Sequence, residues 1–178
     1  MIILGIIIVI ILLIFIIEFN TFVGLKNKIK QSKSGIEVYL NQRFDLIPNL
    51  VECVKGYGKY EQQTLSKIAS LRAQYNNDKN KDLKKGAELN NECNNLLGIA
   101  ESNPDLKASE QFSNLQKSLE KMESQLQAAR RIYNGDVTLY NTTISTFPNN
   151  IFARIFNFKE EELFETEEYK KENIEIDL

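Results

Sequence analysis

Residues 1–17 carry no charged and no polar side chain, and the chain turns polar abruptly at Glu18. A run that apolar cannot be hidden inside a soluble domain of this size, so it dictates a place in a membrane. At about 1.5 Å of rise per residue it falls a little short of the ~30 Å hydrocarbon core of a bilayer. Continuing the helix through Phe19, Phe22 and Val23 closes the gap, with Glu18 snorkelling to the headgroups. Residues 1–24 are therefore expected to form a single-pass transmembrane anchor in contact with the lipid bilayer. A cleaved secretory signal is the competing reading, and it needs a basic n-region and a small-residue cleavage site. No basic residue precedes the run, and Glu18-Phe19-Asn20-Thr21-Phe22 follows it. A lipoprotein signal would need a cysteine at the cleavage point, and the first is Cys53. A retained anchor is the expectation. Lys26, Lys28, Lys30 and Lys33 all lie within about 20 residues of its end, which orients the N-terminus outside and the following domain in the cytoplasm.

Composition closes several functional classes. The net charge of −2 supplies no basic field for nucleic acid, so no nucleic-acid partner is expected. The chain has no histidine, which excludes histidine-based acid–base or nucleophilic catalysis and removes the commonest metal ligand. Cys53 and Cys93 lie on separate segments without C-x-x-C spacing, as suits a reducing compartment and small buried side chains, with a single disulfide between them as the less favoured alternative. No P-loop, nucleophile-elbow or H-E-x-x-H pattern is present. No cofactor, metal or catalytic residue is expected.

Beyond the anchor, apolar residues recur every three or four positions. The first series runs Phe22, Leu25, Ile29, Ile36, Leu40, Ile47, Leu50, Val54, Tyr57, then Leu65, Ile68, Leu71 and Tyr75. This is helical spacing, with lysines and glutamates on the other face. Pro48 removes a backbone donor and crowds the preceding turn, which predicts a kink near Phe44 to Ile47 or two helices meeting there. Asn76-Asn77-Asp78-Lys79-Asn80 reads as a polar loop. A shorter helix is expected from Asp82 to Ala100, with Leu83, Ala87, Cys93, Leu97 and Ala100 inward. Ser102-Asn103-Pro104-Asp105 is turn chemistry, and Ser109 reads as the next N-cap. A third long helix carries Phe112, Leu115, Leu119, Met122, Leu126, Ala129, Tyr133, Val137, Tyr140 and Ile144, ending near Phe147-Pro148. The aromatic segment 151–158 caps the bundle or returns to the membrane surface. From Lys159 the chain is acidic, and its last ten or so residues are expected to be disordered. The predicted fold is all-α: one transmembrane helix, then a long antiparallel helical bundle over 25–158, then an acidic, partly disordered tail over 159–178.

Two polar clusters stand out. Arg43, Asp45 and Asn49 surround Pro48, which frees a backbone carbonyl. They read either as a pocket for a ligand or partner, or as an internal network bracing a kinked helix; the second is the expectation. Arg130, Arg131, Tyr133 and Asn134, with Tyr140 and Asn141, form the other cluster on the long C-terminal helix. Arg130 falls on the inward stripe and needs a carboxylate if buried, for which Asp45 and Asp136 are candidates. This cluster could bind an anion, or it could be a buried pair with tyrosines capped by amides; again the structural reading is expected. The glutamates of the tail could chelate a divalent cation or dock a basic partner, but they match no EF-hand loop, and a solvated tail is the default.

In their order these stretches resemble the LemA family, bacterial membrane-anchored helical proteins. They are FNTFVGLKN after the span, RFDLIPNLVECVKGYGKYE, ESNPDLKASEQFSNLQ, AARRIYN, and YNTTISTFPNNIFARIFNF with Phe164. The resemblance implies a long antiparallel bundle behind one anchor and supplies no established reaction. Its signature positions here are Arg43, Asp45, Leu46, Ile47, Pro48, Asn49 and Leu50, then Pro104, Asp105 and Leu106. Arg130, Arg131, Tyr133, Asn134, Tyr140, Asn141, Phe147, Pro148 and Asn150 follow. Lys33 is a departure, standing where relatives carry tryptophan, which implies a looser juxtamembrane turn or a lysine that serves the lipid surface. The expected function is a non-enzymatic interaction or scaffold module whose partner is another membrane protein or a copy of itself. A ligand-binding or sensory domain, with a polar pocket between helices, is the alternative.

Overall fold

A computed structural model describes residues 2–55, 62–78 and 82–164. Tyr57, Lys79, Asn80 and the tail beyond Phe164, all named above, lie outside the described residues. Among the described residues every regular element is an α-helix and there is no strand. The helices are α1 (Ile2–Asp45), α2 (Ile47–Lys55), α3 (Gln62–Asn77), α4 (Leu83–Glu101), α5 (Pro104–Lys107), α6 (Glu110–Ser145) and α7 (Asn149–Ile155).

Pro48 sets the first break. Its ring would crowd the Phe44 carbonyl and it has no N–H to donate there, so α1 ends at Asp45 and α2 begins at Ile47. The Leu46 N–H reaches the Arg43 carbonyl at 3.0 Å, and the Leu50 N–H reaches the Leu46 carbonyl at 3.1 Å. The two helices meet where the sequence places the kink. Asn76 and Asn77 extend α3 rather than joining the loop. The Asp82 carboxylate caps α4 by accepting from the Lys84 N–H at 2.9 Å. The expected turn at Pro104 is a one-turn helix instead. Asn103 accepts from the Asp105 N–H at 3.1 Å, and Pro104 at the first helical position needs no partner for a missing N–H.

The described chain divides into two compact units. One, Lys33–Arg130, holds the end of α1, then α2 to α5, and the first half of α6. Ile36, Leu40, Phe44, Leu50, Val54, Ile68, Tyr75, Leu89, Leu96, Phe112, Leu119 and Leu126 form its core. The face of α4 corrects the sequence reading. Gly86, Leu89, Asn90, Cys93, Leu96 and Ala100 are buried, while Leu83, Ala87 and Leu97 are half-buried. Gly86 is required by the approach of its neighbours, because a Cβ there would lie 2.8 Å from a Leu40 methyl and 3.1 Å from the Tyr75 ring. The cysteines are both free, Cys93 buried and Cys53 half-buried.

The other unit contains residues 2–32 and 131–164. Gly135 costs about 1 kcal/mol in a helix interior. However, Tyr133, Val137, Tyr140 and Ile144 are buried on the same helix, each contributing roughly 1.5–3 kcal/mol, so α6 continues unbroken. After the Phe147–Pro148 peptide, which is cis, α7 forms and then stops on a residue with positive φ, Asn157 at 57°. The Phe158 N–H returns to the Ala153 carbonyl at 2.9 Å and the Asn157 N–H to that of Arg154 at 3.2 Å, the hydrogen-bond pair of a Schellman cap. This turn aims Phe158 at the fully buried Phe22, with ring centroids 5.2 Å apart.

Candidate functional site

The first polar cluster is a node around Glu123. Arg43 leaves the last turn of α1 with its side chain only 2% exposed, and its guanidinium pairs with the Glu123 carboxylate on α6. Its other terminal nitrogen donates to Asn94 Oδ1 on α4. Arg130 meets the same carboxylate at 3.9 Å, and the buried Asn90 donates to it at 3.4 Å. Burial lowers Arg43 below the usual arginine range, and the nearby Arg130 cation adds to that, while Cys93 opposes it. One carboxylate thus serves two guanidiniums and an amide, a charge-assisted arrangement that ties the last turn of α1 to the interiors of α4 and α6.

Asp45 does not enter this node; it is exposed and pairs with Arg72 at 3.5 Å. Asn49 and Arg131 are exposed. Glu123 therefore takes the role that the sequence analysis offered to Asp45 or Asp136. It stands on the stripe of Leu119, Leu126 and Arg130, and counting turns from Arg130 backward was the signal available for it. Asn90 and Asn94 were also missed.

Cys93 lies beside the node. Burial pushes its thiol up to about 12 from the ordinary 9, and burial likewise pushes Tyr75 up to about 12. Both groups stay protonated in the folded chain while their unfolded counterparts ionise, so stability is full below about pH 9 and falls as the pH rises toward 12. A loss of about 1–2 kcal/mol is expected by pH 10 from Cys93 and Tyr75 together. Thermal unfolding of the full chain at neutral pH and near pH 10 reads it, and Cys93→Ala should flatten the decline.

The second cluster separates into Arg130, which belongs to the node, and a rack of two Tyr-Asn pairs on α6. Asn134 donates to the Phe164 carbonyl at 3.1 Å and accepts from the Phe164 N–H at 2.8 Å. Asn141 does the same with Glu161, at 2.9 and 3.0 Å. The Tyr133 hydroxyl donates to the Glu162 carbonyl at 3.1 Å, and the Tyr140 hydroxyl to that of Lys159 at 2.9 Å. Seven helical residues rise about 10.5 Å, and three extended residues cover about 10 Å, so the repeat on α6 matches residues 161 and 164 in register. Burial raises both phenols, which keeps them protonated as donors. The Glu161 carboxylate reaches Lys26 on α1 at 3.0 Å and raises that lysine by hydrogen bonding to it. The rack grips main chain, so it can hold an extended segment whatever its side chains. Among the described residues, no group of three or more cysteine, aspartate and glutamate side chains is gathered to hold a metal.

Among the described residues, an all-helical fold with one N-terminal helix long and apolar enough to cross a membrane, an Arg–Glu–Arg node and a Tyr-Asn rack defines the class of protein. The sequence profile of the LemA family matches residues 32–178, and the chain belongs to that family. It is similar to Protein LemA of Metamycoplasma hominis, 26% identical over 154 residues that cover 84% of this chain and 70% of that protein. It is also similar to Magnetosome proteins MamQ 2 and MamQ 1 of Paramagnetospirillum magneticum. Each is 22% identical over 176 residues, covering 83% of this chain and 65% of the relative.

Proposed function

We propose that this chain is a non-enzymatic, single-pass membrane-anchored interaction or scaffold module, with its helical part on the cytoplasmic side. The observation that carries the reading is an exposed apolar stripe on α6. Ile132 and Leu139 stand two helical turns apart on one face, both exposed, with Gly135 open between them. A ridge from another helix fits such a stripe, with glycine allowing close approach. The polar clusters support the same reading, because the Arg43 guanidinium pairs with Glu123 and the Asn134 and Asn141 amides bond main chain within the protein. The partner is a membrane protein or a second copy, reached from a fixed distance above the bilayer.

Crosslinking in intact membranes tests this. The full-length chain should capture one dominant partner, itself or another protein, and Ile132→Glu with Leu139→Glu should abolish the capture while helicity by circular dichroism is unchanged. Undiminished capture by that double variant would sink the assignment of this face.

A further inference from the structure

We propose that α7 and the turn leading into it form a second membrane contact, lying in the headgroup–acyl boundary beside the C-terminal end of the span, with lipid as its occupant. This rests on the anchor reading above. Three observations on one unit of the fold carry it.

The first is depth. The Phe15 ring meets Phe152 at 5.0 Å and Phe156 at 5.8 Å, both edge to face, and Phe19 meets Phe156 at 5.1 Å. Phe15 lies inside the apolar run, three residues before Glu18, so it sits about 4.5 Å on the hydrocarbon side of the first charge. A helix fastened to Phe15 is held at the level of the bilayer edge. The Schellman turn fixes it there by returning Phe158 onto Phe22.

The second is the face left outward. Ile151 and Ile155, four residues apart on one face, are 50% and 58% exposed, and Phe147 in the preceding turn is 76% exposed. Those values fall in the range of the span's exposed apolar side chains, from 42% at Ile14 to 82% at Ile2. The apolar surface of the anchor therefore continues onto α7.

The third is charge. From Val137 to Lys159 the sequence has no acidic residue, and its only charges are Arg154 and Lys159, both exposed. Within α7 and the turn leading into it, apolar anchors with one cation, Arg154, and no carboxylate suit the boundary of an anionic leaflet.

The chain has no tryptophan, so single reporters can be placed without background. Full-length F147W, I151W, I132W and L12W are reconstituted in phosphatidylcholine–phosphatidylglycerol vesicles with acyl-brominated lipid as quencher. F147W and I151W are expected to lose roughly half of their emission, as for groups buried about 5–10 Å into the boundary, while I132W is unaffected. Quenching of L12W with none at F147W and I151W overturns the proposal and leaves the anchor standing. Absence of quenching at L12W overturns the anchor reading and this contact with it. Equal quenching at I132W overturns it as unselective adsorption. A blue shift at I151W without quenching overturns it in favour of a protein covering the face.

Discussion

Replacing Glu123 by alanine is expected to destabilise the full-length chain by about 3 kcal/mol, the largest loss of any single polar substitution. The guanidinium of Arg43 is effectively always charged, and its side chain is 2% exposed, so it cannot recover hydration when the carboxylate goes. The same change strips Arg130 and the amide of Asn90 of their shared acceptor, leaving two cations to repel each other across the vacated place. Glu123 is itself 24% exposed, so water reaches one side of the node, which holds the loss to the lower part of the range for broken buried pairs. The control is Arg43→Met combined with Glu123→Leu. That pair removes the buried cation with its counter-charge and should recover most of the stability, because desolvating two ions offsets much of their attraction. Thermal unfolding in detergent, followed by circular dichroism, measures both variants. An unchanged midpoint for Glu123→Ala would show that the node carries no net stability.

How much of this was legible in the sequence depended on how strongly each helix is marked. The long stripe of α6 was readable because Phe112, Leu115, Leu119, Leu126, Ala129, Tyr133, Val137, Tyr140 and Ile144 leave one possible phase, and all of them are buried, while Met122 of the same series is half-buried. The α1–α2 break was readable because proline has a local steric consequence. In α4 the phase slipped: its few apolar residues can be threaded by more than one three-four walk, and two of its true inward positions are Gly86 and Asn90, which an apolar count passes over. Glu123 was missed for a related reason. A glutamate amid polar residues reads as solvated face unless the arginine one heptad later is already known to be buried. The rack was only half legible. The paired Tyr-Asn dipeptides were visible as a polar cluster, but their partners are backbone groups 19 to 30 residues downstream, and a main-chain acceptor leaves no mark in side-chain identity.

The second large effect follows from that backbone pairing. Asn134→Ala together with Asn141→Ala removes four hydrogen bonds at once, two reciprocal pairs that fasten residues 161 and 164 to α6. At about 0.5–1.5 kcal/mol net for each, the pair of changes should cost roughly 2–6 kcal/mol of local stability. The loss is local because the segment is held from one side: Tyr133 and Tyr140 keep single bonds to Glu162 and Lys159, and the Lys26–Glu161 pair is half-exposed and contributes little. Hydrogen exchange is the direct readout. The Glu161 and Phe164 amides, which donate to the two asparagines, should exchange roughly 100-fold faster in the double variant, while amides in the middle of α4 hold their wild-type rates. Asparagine-to-aspartate changes at the same positions separate the two halves of each bond. Aspartate still accepts from the amide but no longer donates to the carbonyl, so Asn134→Asp with Asn141→Asp should lie between the wild type and the alanine pair. If the alanine pair leaves both amides protected, the segment is fixed by Phe164 packing and the tyrosines, and the asparagines only decorate it.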